Sequence, residues 1–291
     1  MRPGFLLEKE VGGEFANLYS YNQNMAKGLA DKLFFLDKLP LNRYKDYEWV
    51  FVDFGCADGV LINALTSILE QHDIKATLIG YDISETMIEL ARARFNESSS
   101  PDVKVIFTYE WPEVEKYLAH DAIRVLNLSS VIHEVYSYAD SEEDITTFWD
   151  RVCNSGFDYV CVRDMMCETS INRATDINLL EEFYTQVENS KPELEPYIKE
   201  FEQKWGSLEN NKNFVHYLLK YRWITNWKRE VNENYFPITT REFLAKMRGF
   251  SIVYAQNFRV PFLEDCWKKD FNITIKDPTH VKYIFRCWHN R

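Results

Sequence analysis

The chain has 291 residues, 46% hydrophobic and 15% aromatic, with a net charge of −11. That length suits one large domain, or one domain carrying a substantial insertion, with ample material for a core. No run approaches the roughly 18 apolar residues needed to span a bilayer. Met1-Arg-Pro-Gly-Phe-Leu-Leu-Glu-Lys-Glu holds an apolar stretch of only three residues, Phe5-Leu6-Leu7, and does not read as a signal peptide. Cysteines stand at 56, 153, 161, 167, 266 and 287 with no Cys-x-x-Cys pair, so no zinc site of that type is expected. They read as reduced, buried thiols of a cytoplasmic chain.

Taken in chain order, hydrophobic strand-like runs alternate with segments of helical period, the pattern of βαβ units in a mostly parallel sheet. The first element is a helix carrying Leu29, Leu33, Phe34 and Leu36, preceded by Tyr19, Tyr21 and Met25. Strands are expected near 49–54, 77–82, 103–108, 122–128 and 158–163, with helices near 59–71, 84–96, 111–119 and 141–154 between them. The first, fourth and fifth strands are apolar on both faces, as in a sheet covered on both sides. Ser84 reads as an N-cap, and Ser141 with Asp144 as a capping box.

Beyond 164 the rhythm breaks. Residues 170–235 contain no convincing strand but three helical stretches, 176–189, 193–205 and 211–230. A helix at 239–248 and strands at 250–257 and 281–287 follow. The predicted organisation is an α/β domain over 1–169 and 236–291, with a helical cap, 170–235, inserted after strand 5.

The motif at 51–59, Phe-Val-Asp-Phe-Gly-Cys-Ala-Asp-Gly, falls where the first strand turns into the first helix. Free backbone N–H groups and the helix dipole there favour electron-rich ligand groups, and small residues allow close approach. Asp82 ends the second strand, where a carboxylate can accept hydrogen bonds from both ribose hydroxyls of an adenosine. A dinucleotide fingerprint needs a third glycine where Val60 or Leu61 stands. Asp53 and Asp58 would repel a pyrophosphate and suit a cationic sulfonium and ammonium.

On Asp53, Gly55, Cys56, Ala57, Asp58 and Gly59, the sequence resembles the class I S-adenosylmethionine-dependent methyltransferases, with Ala57 replacing the family's middle glycine. The resemblance spans roughly 45–165 and 238–288. It implies a Rossmann-like seven-stranded sheet with an antiparallel last strand and helices on both faces, and S-adenosylmethionine as cofactor. It also implies that Asp53 and Gly55 lie near the methionyl part, that Asp82 with Ile83 holds the ribose, and that Tyr109 or Glu110 neighbours the adenine. Asn127 and Ser129 would frame the methyl-transfer site. Many relatives lay an N-terminal helix over the cofactor, which makes Tyr21 a further candidate.

For catalysis, His133 directly follows the fourth strand and reads as a general base or a substrate anchor. Arg163 and Asp164 end the fifth strand on the same rim, as an anion clamp or as a structural pair. Tyr136 and Tyr138 are candidates for lining the acceptor pocket. No metal site is expected. Residues 204–291 hold 16 Lys and Arg against 8 Asp and Glu, whereas the other 203 residues hold 18 against 37. In 211–230 the cations interleave with Tyr217, Tyr221, Trp223 and Trp227, as in single-strand binding surfaces or a buried amphipathic helix. The expected acceptor is therefore a small or medium-sized, anionic or neutral molecule under the cap. An RNA or nucleotide held by the basic C-terminal third is the alternative. A cofactor-binding partner protein without turnover is a third reading.

Overall fold

The computed structural model describes residues 28–95, 100–119 and 121–288. Tyr19, Tyr21 and Met25 lie outside them. The chain divides into two compact units. The first holds the described residues up to Asp164, Lys246–Gln256, and the chain from Lys282 onward; the second is Met165–Ala245 with Asn257–Val281.

The first unit opens with a one-turn helix, α1 (Leu29–Lys32), and continues β1 (Trp49–Phe54), α2 (Val60–Gln71), β2 (Ala76–Tyr81), α3 (Glu85–Arg94), β3 (Val103–Thr108), α4 (Trp111–Leu118) and β4 (Ile123–Ser129). Then come α5 (Ile132–Tyr138), α6 (Glu142–Asn154) and β5 (Tyr159–Met165). With β6 (Phe250–Phe258) and β7 (His280–Cys287) these strands form one seven-stranded sheet in the order β3-β2-β1-β4-β5-β7-β6. β1 to β5 pair in parallel. The bond from Cys287 N–H to Asp158 C=O, and that from Trp288 N–H to Gly249 C=O, run β7 antiparallel to both its neighbours.

β1 is buried at every residue because it is central and covered on both faces, which its sequence Trp-Val-Phe-Val-Asp-Phe suits. Strand order reverses between β1 and β4, and the crevice at such a switch point lies at the carboxyl ends of the strands. The register sets Asp53 level with Asn127 on one side and Gly80 on the other. Both expected caps form: the Ser84 hydroxyl accepts from Met87 N–H, and Asp144 accepts from Ser141 N–H.

The second unit contains α7 (Ile177–Ser190), α8 (Glu195–Trp205), α9 (Asn211–Lys220), α10 (Trp227–Glu230), nearly all of α11 (Thr240–Lys246), and α12 (Pro261–Phe271). Its own core gathers Phe183, Phe201, Phe214, Tyr217, Trp267 and Phe271. The single helix expected over 211–230 breaks after Lys220. Trp223 N–H turns back to Lys220 C=O, and the β-branched pair Ile224-Thr225 sits in a 3-10 turn. α12 was not expected from the sequence, although Pro261 opens it and Leu263, Cys266, Trp267 and Phe271 bury one stripe.

Lys220, Arg222 and Arg229, with the rings of Tyr217, Tyr221 and Trp227, are engaged inside this unit. Lys220 is fully buried, its ammonium donating to the carbonyls of Glu230 and Glu233 and facing the Tyr235 ring 3.7 Å away. Arg222 reaches Asp270 and Arg229 reaches Glu233, while Tyr217, Tyr221 and Trp227 are core residues. These rings offer no open face on which a base could stack.

Candidate functional site

Two cavities meet at Gly55 on the carboxyl rim of the first unit's sheet. One, of about 340 Å³ with its mouth included, is lined by Phe54, Gly55, Asp82, Ile83, Val131, Glu134, Val135 and Tyr138. The other, of about 360 Å³, is lined by Leu29, Lys32, Asp53, Gly55, Cys56, Ala57, Asp58, Val60, Leu61 and Ser129. Of the residues expected from sequence, Asp53, Gly55, Cys56, Ala57, Asp82, Ile83 and Ser129 therefore line cavities, and Tyr138 joins them. Gly59 caps α2 rather than lining either. Tyr109 packs against the sheet's core and Glu110 is exposed, and neither is among the residues lining these two cavities.

The loop keeps its shape through left-handed backbone at Gly55, Ala57 and Gly59, with φ of +75°, +47° and +77°. A β-carbon at Gly55 would stand 2.8 Å from the Val131 side chain. The expectation of free loop amides is not met. Gly55 and Cys56 N–H both bond to Tyr81 C=O, Gly59 N–H bonds to Cys56 C=O, and Ala57 N–H donates to Asp82 at 3.0 Å. Asp82 takes a second bond from Ser84 N–H at 3.0 Å and is 1% exposed. The polar groups available to a ligand are thus mainly side chains.

Those side chains are electrically tuned. Burial, with the charge of Asp82, raises Asp53 to about 6 against the opposing hydrogen bond from Asn127 and the charge of Lys32. Burial, then Arg163, lowers Lys32 to about 8, while Asp53, Glu134 and Asp164 pull it upward. Asp58 pairs with Arg94, so its charge is compensated within the protein rather than offered to a cationic ligand. Two buried oxygens in this region, Asn127 Oδ1 and Ser129 Oγ, have no hydrogen-bond partner among the described residues. Asn127 does donate its amide to Asp53 at 2.8 Å.

Asp164 is completely buried and accepts three bonds, from Val131 N–H at 2.9 Å, Ile132 N–H at 2.7 Å and His133 Nδ1 at 2.8 Å. It fixes the start of α5 and orients the imidazole. Arg163 donates from Nε to Asp31 at 2.9 Å and from Nη1 to Ser130 Oγ at 3.0 Å. Helical spacing explains which residues of α5 reach the cavity. Val131, Glu134, Val135 and Tyr138 stand at i, i+3, i+4 and i+7, while His133 turns toward Asp164. That spacing was the signal for Glu134 and Val135. Lys32 was missed as well, since a lysine on a short helix ordinarily reads as solvated. Among the described residues no cluster of three or more His, Cys, Asp or Glu is arranged to hold a metal ion.

The sheet order, the reversed final strand and the glycine loop opposite Asp82 define a class I methyltransferase fold. Among solved structures, the cyclopropane synthase MmaA2 of Mycobacterium tuberculosis superposes with a TM-score of 0.51 at 11% identity, over 88% of this chain and 83% of that one. SCL7 of Oryza sativa superposes with a TM-score of 0.50 at 12% identity, over 97% and 86%. An S-adenosylmethionine-dependent methyltransferase of Archaeoglobus fulgidus gives 0.38 at 15% identity, over 86% and 93%. No family model and no curated protein sequence matches the chain.

Proposed function

We propose that this chain is an S-adenosylmethionine-dependent methyltransferase acting on a small or medium-sized acceptor. One observation carries the reading: the Asp82 carboxylate is locked by two backbone N–H groups at the edge of an open hollow on the sheet's carboxyl rim, with acceptor capacity left over. The residues fit the cofactor. Gly55 lines both cavities without a side chain, and Ser129, which lines the second, keeps a buried oxygen with no hydrogen-bond partner among the described residues. When bound, the cofactor supplies an electrophilic methyl group on a sulfonium.

The chain's own residues then have definite tasks. Asp82 orients the ribose and, with Ile83 beside it, sets the position of the sulfur. Asp53 offers a carboxylate to the ammonium of the amino-acid end. His133, held by Asp164 in the Nδ1–H tautomer, accepts the proton that an oxygen or nitrogen acceptor releases during in-line displacement. The small-molecule class is favoured over RNA because Tyr217, Tyr221 and Trp227 are core residues.

Titration calorimetry with S-adenosylmethionine and S-adenosylhomocysteine tests the proposal. Both should bind, and Asp82→Ala should abolish binding while leaving the protein folded. If neither binds the wild-type chain, the cofactor assignment is wrong.

A further inference from the structure

The second cavity is walled by groups of opposite charge, with Lys32 from α1 and Asp53 from β1 both lining it. Beside them is Ser129, 8% exposed, whose buried hydroxyl has no partner among the described residues. Opposite charges with an unsatisfied hydroxyl complement a zwitterion. The N–H groups of Gly55, Cys56, Ala57 and Gly59 already bond within the chain, so these four do not serve a carboxylate. Among the residues lining this cavity Lys32 is the cation.

Lys32 does not sit there by chance of sequence position. The preceding residue, Asp31, is gripped from two strands, by Arg163 of β5 and by Lys282 of β7. Burial alone would raise Asp31, yet these two cations hold it below the usual carboxylate range. This grip fixes α1 to the sheet rim and presents the next side chain to the cavity.

On these grounds, and resting on the proposed cofactor reading, we infer that Lys32 is the counter-ion for the carboxylate at the amino-acid end of the ligand. Asp31, with Arg163 and Lys282, is its positioning clamp. Lys32 thereby makes the site selective for adenosyl thioethers that retain the amino acid. Ser129 Oγ accepts from the ammonium alongside Asp53. Arg163 is in this account a positioning residue and does not touch the acceptor.

The experiment compares S-adenosylhomocysteine with 5′-methylthioadenosine, which has the same nucleoside and sulfur but no amino acid. Calorimetry is run on the wild-type chain, Lys32→Met, Lys32→Arg and Asp31→Asn, with thermal unfolding as a folding control. The wild type should prefer S-adenosylhomocysteine. Lys32→Met should weaken that ligand by about 10- to 150-fold, the value of one charge-assisted hydrogen bond. Methylthioadenosine affinity should stay unchanged, Lys32→Arg should recover part of the loss, and Asp31→Asn should lose part of the preference. An unaltered preference in Lys32→Met, with S-adenosylhomocysteine still bound, overturns the assignment of Lys32 and leaves the methyltransferase proposal standing. Loss of both ligands by a folded Lys32→Met also overturns it. Failure of the wild type to bind either ligand overturns the proposed function itself.

Discussion

Replacing Asp82 by Asn separates the loop's architecture from its ligand. The Asp82 oxygens each accept one backbone N–H, from Ala57 and from Ser84, both at 3.0 Å. Asparagine preserves the shape but has one oxygen, so one N–H meets an NH2 group and is left without an acceptor. An orphaned buried donor costs about 1–3 kcal/mol, which for a chain of this size lowers the melting temperature by roughly 2–12 °C. Ala57 is the sensitive partner, because its bond to Asp82 helps hold a non-glycine residue at φ +47°. The ligand loses more than the fold does. A ribose hydroxyl that donated to a carboxylate then faces an amide donor, and one lost bond of about 1.5–3 kcal/mol weakens S-adenosylhomocysteine about 10- to 150-fold. Calorimetry and scanning calorimetry on the same preparation read both quantities. A lower melting temperature with unchanged affinity refutes the ribose role, and unchanged melting refutes the role as loop anchor.

Gly55→Ala should destabilise by about 1–2 kcal/mol for the left-handed backbone and about 1–3 more for the clash with Val131, whereas Gly249→Ala, with positive φ but open space, should show only the first cost in thermal unfolding. His133→Ala should cut turnover about 10²- to 10⁴-fold while sparing S-adenosylhomocysteine affinity, and Asp164→Asn should lower turnover and loosen α5 together; an unaffected rate in His133→Ala returns that residue to a packing role. Affinity for S-adenosylhomocysteine should be greatest between about pH 6 and pH 8: protonation of Asp53 removes the ammonium's partner as pH falls through about 6, and deprotonation of Lys32 removes the carboxylate's partner as pH rises through about 8. A flat profile would refute both assignments. In the second unit, burial and then the charge of Glu233 raise Glu230 to about 7, above the 4.5 of an unfolded glutamate, so its stabilisation is complete below about 4.5 and is lost as pH rises through about 7. Glu230→Gln should flatten that slope in urea unfolding followed by tryptophan fluorescence.

What could be read in the sequence was governed by burial on two faces. β1, β4 and β5 carry apolar residues on both faces because helices cover them on both sides, and their bounds were legible within a residue or two. α5 was not, since Ile-His-Glu-Val-Tyr-Ser-Tyr is only seven residues long and mixes polar with aromatic side chains. Its inward face, Val131, Glu134, Val135 and Tyr138, became definite only once Asp164 pinned its first turn. The loop's role also changed. Its glycines were legible as a close approach, yet nothing local announced that Tyr81 C=O would take the N–H groups of both Gly55 and Cys56. That competition comes from the parallel pairing of β1 with β2, which is a long-range fact. Once the loop amides are occupied, charge recognition passes to side chains, and so to Lys32. A lysine beside an aspartate on a four-residue helix carries no signal by itself. It acquires one because Arg163 and Lys282, 131 and 250 positions further along the chain, hold Asp31 and so decide where Lys32 must stand.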